Sequence, residues 1–113
     1  MKAEKIIDIS AKMLGFQGIS DERIQSSALS AFNRIYAELF FSSNKEDFRE
    51  VKNFNEDIEI DERTAYDVMP YGVASLMASA LGDSENQAFF SDLYNLKRKK
   101  QKMSTVSDVL PTV

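Results

Sequence analysis

The sequence predicts an all-α chain, a small bundle of about four helices with an extended acidic arm between the second and third and a mobile C-terminal tail. Three observations carry this. Apolar residues recur at three- and four-residue spacing over four stretches, the mark of helices that each bury one face. Ser, Asp and Gly stand at the ends of those stretches, where helix caps belong. The 15 residues from Val68 to Gly82 carry no charge and are crowded with small side chains (Gly72, Ala74, Ser75, Ala78, Ser79, Ala80), so another backbone can approach them closely.

From Lys2 to Leu14, Ile6, Ile9 and Met13 lie near one face, and Gly15 occupies the position just past a helix end. Phe16 to Ile19 form a turn, after which Ser20 or Asp21 can cap the next helix. Residues 21–42 place Ile24, Ala28, Ala31, Ile35 and Leu39 on one line with Phe32, Tyr36 and Phe40 beside it, so this longest helix is expected at the centre of the bundle. Ser42 to Asp57 loses the helical period and reads as a connecting arm. Ile58, Glu59 and Ile60 alternate as a brief extended piece, and Asp61 caps the third helix. Ala65, Met69, Val73, Leu76 and Ala80 keep one phase across Pro70, which predicts a single helix over 62–81, kinked at Pro70. Gly72 in mid-helix costs roughly 1 kcal/mol against alanine, and close helix contact is the simplest reason for it.

Leu81 and Gly82 end that helix, and Ser84 with Gln87 makes a capping box for the last one, over 85–101. Its stripe is Ala88, Phe89, Leu93 and Leu96, widened by Phe90 and Tyr94. It finishes in Lys97, Arg98, Lys99, Lys100 and Lys102, beside the negative end of its own dipole. Residues 1–102 thus form a single helical domain, and 103–113 a flexible tail whose Val106, Val109, Leu110 and Val113 can dock on another subunit.

A chain of 113 residues, 43% hydrophobic, can bury one core. It has no cysteine and no histidine. Disulfides, the usual zinc ligands and the usual nucleophile and base pairs are therefore excluded, and no enzymatic activity, metal or cofactor is expected. Asp57, Glu59, Asp61 and Glu62 lack the glycine turn and terminal glutamate of a calcium loop. The uncharged stretch is too short for a bilayer span, which takes roughly 20 residues, so no membrane contact is expected. Asp8 interrupts the apolar run after Lys2 and Lys5 before a signal-peptide core forms, so the chain is expected in the cytoplasm.

The net charge of -4 hides a split. Residues 1–96 hold 9 Lys and Arg against 17 Asp and Glu, a net of -8, while residues 97–113 hold 5 against 1, a net of +4. An acidic body opposes general affinity for nucleic acid, so direct nucleic-acid binding is not expected. A small nucleic-acid-binding regulator using the basic end is the alternative reading.

The stretches ALSAFNRIYAEL (Ala28 to Leu39), DIEID (Asp57 to Asp61), VMPYGVASLMAS (Val68 to Ser79), Gly82-Asp83 and FFSDLYNLKR (Phe89 to Arg98), in this order, cover most of the chain. Together they resemble the small head-to-tail connector (adaptor) proteins of tailed phages and prophages of Gram-positive bacteria. The resemblance implies a helical bundle with an extended arm, without enzymatic activity, that forms a homo-oligomeric ring. The implied partners are the portal protein and a neck or tail-completion protein. The implied location is the bacterial cytoplasm during assembly and then the head-to-tail junction of the virion. Candidate interface residues are the acidic Glu56, Asp57, Glu59 and Glu62, the basic Lys97, Arg98, Lys99, Lys100 and Lys102, and the apolar Val106, Val109 and Leu110.

Overall fold

Among the described residues five helices account for the regular structure: α1 (Ala3–Met13), α2 (Glu22–Ser42), α3 (Glu62–Asp67), α4 (Met69–Ala80) and α5 (Ser84–Val109). The computed structural model describes residues 1–43 and 45–109, with 102–109 described by backbone alone. The chain is an all-α bundle, as its periodicity predicts. The segment expected as a tail begins inside α5, which continues to Val109, so the basic run at 97–102 lies within the helix and not at the negative end of its dipole; residues 110–113 lie outside the described residues.

The helix ends follow their cap residues. Asp21 caps α2 by accepting from the Arg23 amide at 3.0 Å. Asp61 caps α3 by accepting from both the amide and the hydroxyl of Thr64, at 3.0 and 2.8 Å. Gly82, with φ of +75°, turns the chain out of α4. Its amide reaches the Ser79 carbonyl and the Asp83 amide the Ala78 carbonyl, which satisfies the last carbonyls of that helix. The next cap is Asp83 rather than Ser84. Its carboxylate accepts from the backbone amide of Asn86 at 3.2 Å and from that residue's side-chain amide at 2.7 Å, so α5 starts one residue before the expected boundary.

The single helix expected over 62–81 is two. α3 stops at Asp67, Val68 departs from helical geometry (φ -119°, ψ -51°), and α4 restarts with Pro70 in its first turn. Proline lacks the amide that would reach back to the Tyr66 carbonyl, and its ring would press on that carbonyl. In a first turn the missing amide has no partner to lose, so the chain breaks ahead of the proline instead of kinking at it. Ala65, Met69 and Val73 still share the buried side across the break.

The central helix is α4, not α2. It packs against α1, α2, α3 and α5, whereas α2 rests on α4 and α1. A helix without charges can be covered on every side, and Met69, Pro70, Gly72, Val73, Ala74, Ser75, Met77 and Ala78 are all buried. The apolar line of α2 is buried as its spacing predicts. In α1 the buried side is rotated from the expected line: Ala3, Ile6, Ile7, Ser10 and Ala11 face inward, while Ile9 and Met13 are half-buried. Ser10 tolerates this because its hydroxyl donates to the Ile6 and Pro70 carbonyls at 2.9 and 3.0 Å.

The last helix departs most from its expected face. Phe90 and Tyr94 are buried, Leu93 is half-buried, and Phe89 and Leu96 are exposed. Since α5 leans chiefly on α4, only the narrow Phe90 and Tyr94 side gains full cover. The stripe chosen from spacing lies partly on the opposite side.

Candidate interaction surfaces

The segment between α2 and α3 is irregular but held. The side-chain amide of Asn33 pairs with both backbone groups of Val51: its nitrogen donates to the carbonyl at 2.8 Å and its oxygen accepts from the amide at 2.7 Å. The Tyr36 hydroxyl accepts from the Glu59 amide at 2.7 Å. Phe48 sits among the rings of Tyr36, Phe40 and Phe41, with centroids 5.2 to 5.5 Å away. Residues 56–58 run antiparallel to the chain start: the Ala3 amide donates to the Glu56 carbonyl and the Ile58 amide to the Met1 carbonyl, both at 2.9 Å. The extended piece expected at 58–60 therefore begins slightly earlier and lies against the start of α1.

This packing lines a cleft of about 540 Å³ with Tyr36, Phe40 and Val51 on its floor and Glu46, Asp47, Glu50, Glu56, Asp57 and Glu59 around it; Arg49 also lines it. Of the acidic candidates, Glu56 is partly spent within the arm, where its carboxylate accepts from the amides of Lys52 and Asn53, the latter at 2.7 Å. Asp57 is well exposed and lies 3.7 Å from the Met1 amine. Glu59 is exposed, and its carbonyl accepts from Lys45 at 3.0 Å. Glu62 stands apart in the first turn of α3, beside Lys2, Glu4, Lys5 and Tyr66.

The basic candidates divide by what already holds them. Arg98 lies 3.7 Å from Glu38, donates to the Ser42 hydroxyl at 3.0 Å and stacks over the Tyr94 ring. Lys97 lies over the Tyr71 ring at 4.9 Å. Lys99 and Lys100 are exposed. Lys97 and Lys100 line a smaller cleft of about 180 Å³ with Arg63, Asp67, Val68 and Gln101, where the second half of α5 meets α3. Gln101 donates there to the Thr64 hydroxyl. The side chains of Lys102, Val106 and Val109, and Leu110 altogether, lie outside the described residues.

Spacing did not reveal Glu38, which holds Arg98 in the basic stretch of α5. Its carboxylate accepts from the Tyr94 hydroxyl at 2.8 Å as well as facing Arg98. Burial, and then this bond to Glu38, push the Tyr94 phenol well above the usual tyrosine range. Glu38 and Tyr94 are 56 residues apart in the chain, so no local pattern connects them.

The most exposed large apolar side chains among the described residues lie on α5 and at the end of α2. Phe89 is 57% exposed and Leu96 50% exposed on the outer side of α5, and Phe41 is 58% exposed at the end of α2. Among the described residues no cluster of acidic side chains could hold a metal ion, and no helix is long and apolar enough to cross a membrane. No family model, curated protein or solved structure matches the chain.

Proposed function

We propose that the chain is a structural subunit of a phage or prophage head-to-tail connector. It takes its place in a homo-oligomeric ring that bridges the portal protein to a neck or tail-completion protein, first in the bacterial cytoplasm and then at the head-to-tail junction of the virion. The observation that carries this reading is the presence of two unlike surfaces on one small domain. One is the acidic cleft formed by the arm and α2; the other is the basic stretch of α5 from Lys97 to Lys100. A head-to-tail ring joins two different patches on successive copies, and opposite charges suit such a contact. The resemblance in the order of the motifs supplies the identity of the partners. The absence of histidine and cysteine from the sequence fits a role without catalysis.

Single exposed ion pairs contribute about 0 to 1 kcal/mol, so charge acts here through several pairs repeated around a ring and weakens with salt. The test reverses Lys97, Lys99 and Lys100 to Glu and follows mass by light scattering, alone and with the portal protein, at low and high ionic strength. The unaltered chain is expected to join the portal in a salt-sensitive manner, and the reversed chain to fail. Unchanged association would overturn the charge-based contact. A mobility shift of DNA at about 0.1 M salt would instead favour a small nucleic-acid-binding regulator.

A further inference from the structure

We infer that the outer face of α5 is a self-association surface on which two copies pair antiparallel, α5 against α5. Glu85, Phe89, Asp92, Leu96 and Lys99 follow one another at spacings of four and three along this helix, so they form one line. Glu85, Phe89, Leu96 and Lys99 on it are exposed, as is Lys100 beside it. That line is opposite Phe90 and Tyr94, which are buried on the side toward α4. Phe89 and Leu96 are thus two large apolar groups, two turns apart, directed away from the domain. Such a pair at the spacing of a helix–helix seam asks for another helix.

The charges along the same line say which helix and in which direction. The line is acidic toward the start of α5, with Glu85 and Asp92, and basic just past the middle of the helix, with Lys99 and Lys100. A second copy laid parallel sets acid on acid and base on base. Laid antiparallel, it sets each acidic part over a basic part, twice by symmetry. One register satisfies both chemistries at once. With the two-fold axis between residues 92 and 93, Phe89 lies level with Leu96 of the other copy, and Glu85 level with its Lys100. The same register brings the two Asp92 carboxylates near each other at the axis. That repulsion, and the small apolar area, keep the dimer weak and dependent on concentration.

This pairing does not rest on the connector reading. It joins two like patches about a two-fold axis, whereas the head-to-tail contact of a ring joins two unlike patches, and the two assemblies have different masses in solution.

The test is sedimentation of the full chain up to concentrations on the order of 100 micromolar, where a weak dimer of this size is populated. A monomer–dimer equilibrium is expected. Phe89→Ser should weaken it by a factor on the order of 100, since each dimer loses two exposed aromatic groups. Lys100→Glu should weaken it roughly tenfold, and Glu85→Lys combined with Lys100→Glu should restore it. Asp92→Asn should tighten it. Because the chain has no cysteine, Asp92→Cys reports the axis directly: oxidation should join it to its own copy, while Glu85→Cys should cross-link only when mixed with Lys100→Cys. Circular dichroism of each variant checks that the helix content is kept. A monomer at every concentration overturns the inference. So does a dimer indifferent to Phe89→Ser, or a cross-link through Glu85→Cys alone.

Discussion

At Gly72 of α4, side chains from α2 and α5 both press on the backbone, and distances set the cost of a single methyl group there. A Cβ on this residue would lie 2.8 Å from Ile35 Cδ1 and 2.9 Å from the Tyr94 ring. The isoleucine end can swing aside, but the ring is held by its bond to Glu38 and by Arg98 over its face. Gly72→Ala improves helix propensity by roughly 1 kcal/mol. Overpacking costs typically about 1 to 3 kcal/mol, so net destabilisation in denaturant unfolding is expected, and equal or greater stability would mean that Tyr94 moves freely. The sequence made this glycine legible as a close contact, because glycine in mid-helix calls for a packing reason; it could not say that the neighbours were Ile35 and Tyr94. A second residue-scale prediction concerns acid. Asp8 lies 2.9 Å from Lys12 and accepts from the Ile19 amide at 2.9 Å, and these two contacts hold its carboxyl below the usual range. Asp61 is also lowered: burial opposes the shift, but the Thr64 amide and hydroxyl outweigh it. For a lowered carboxyl, the stabilisation is fully present above the unfolded value, near ~3.9, and is lost as pH falls through the folded value. Stability should therefore be level with respect to these two groups above about pH 5 and decline below about pH 4. Asp8→Asn should make that decline shallower in melts taken across the range.

At the scale of the element, existence was legible and rotation was not. Every helical stretch found by spacing is helical, because three-and-four periodicity reports that some face is buried. Which face depends on what stands opposite, and that information lies elsewhere in the chain. For α5 the spacing admits two overlapping stripes, and only the presence of α4 on one side selects Phe90 and Tyr94 over Phe89 and Leu96. The break between α3 and α4 obeys a similar rule: the apolar phase runs through Pro70, but the hydrogen-bond ladder does not. The start of α5 offers a direct check on its cap. Since Asp83, not Ser84, accepts the free Asn86 amide, Asp83→Ala should cost about 1 kcal/mol in unfolding free energy and Ser84→Ala close to nothing. The reverse order in paired denaturant curves would return the cap to Ser84.

Across the whole molecule, the least legible feature was how the arm is held. Its acidic composition and lack of period correctly mark an irregular segment, yet Val51 and Ile58 are buried and Asn33, 18 residues from Val51, fastens it. An asparagine in the middle of a helix gives no sign of its use until the fold brings a backbone to it. Asn33→Ala leaves the Val51 amide and carbonyl without partners, which costs about 1 to 3 kcal/mol where they stay buried. Hydrogen exchange should then speed up at Val51 and along the arm, with α1 and α4 little affected, because local opening releases the arm before the bundle. Exchange that accelerates evenly across all helices would mean that the arm and bundle open as one unit. Much of the arm's hold passes through main-chain atoms: the two groups of Val51, the amides of Glu59 and Ile58 and the carbonyl of Glu56. Main-chain atoms are the same whatever side chain they carry. The charged exterior of the arm, Glu56 apart, can therefore drift under mutation while the scaffold beneath it persists, so a lineage of such proteins can recolour this face without having to reinvent its fold.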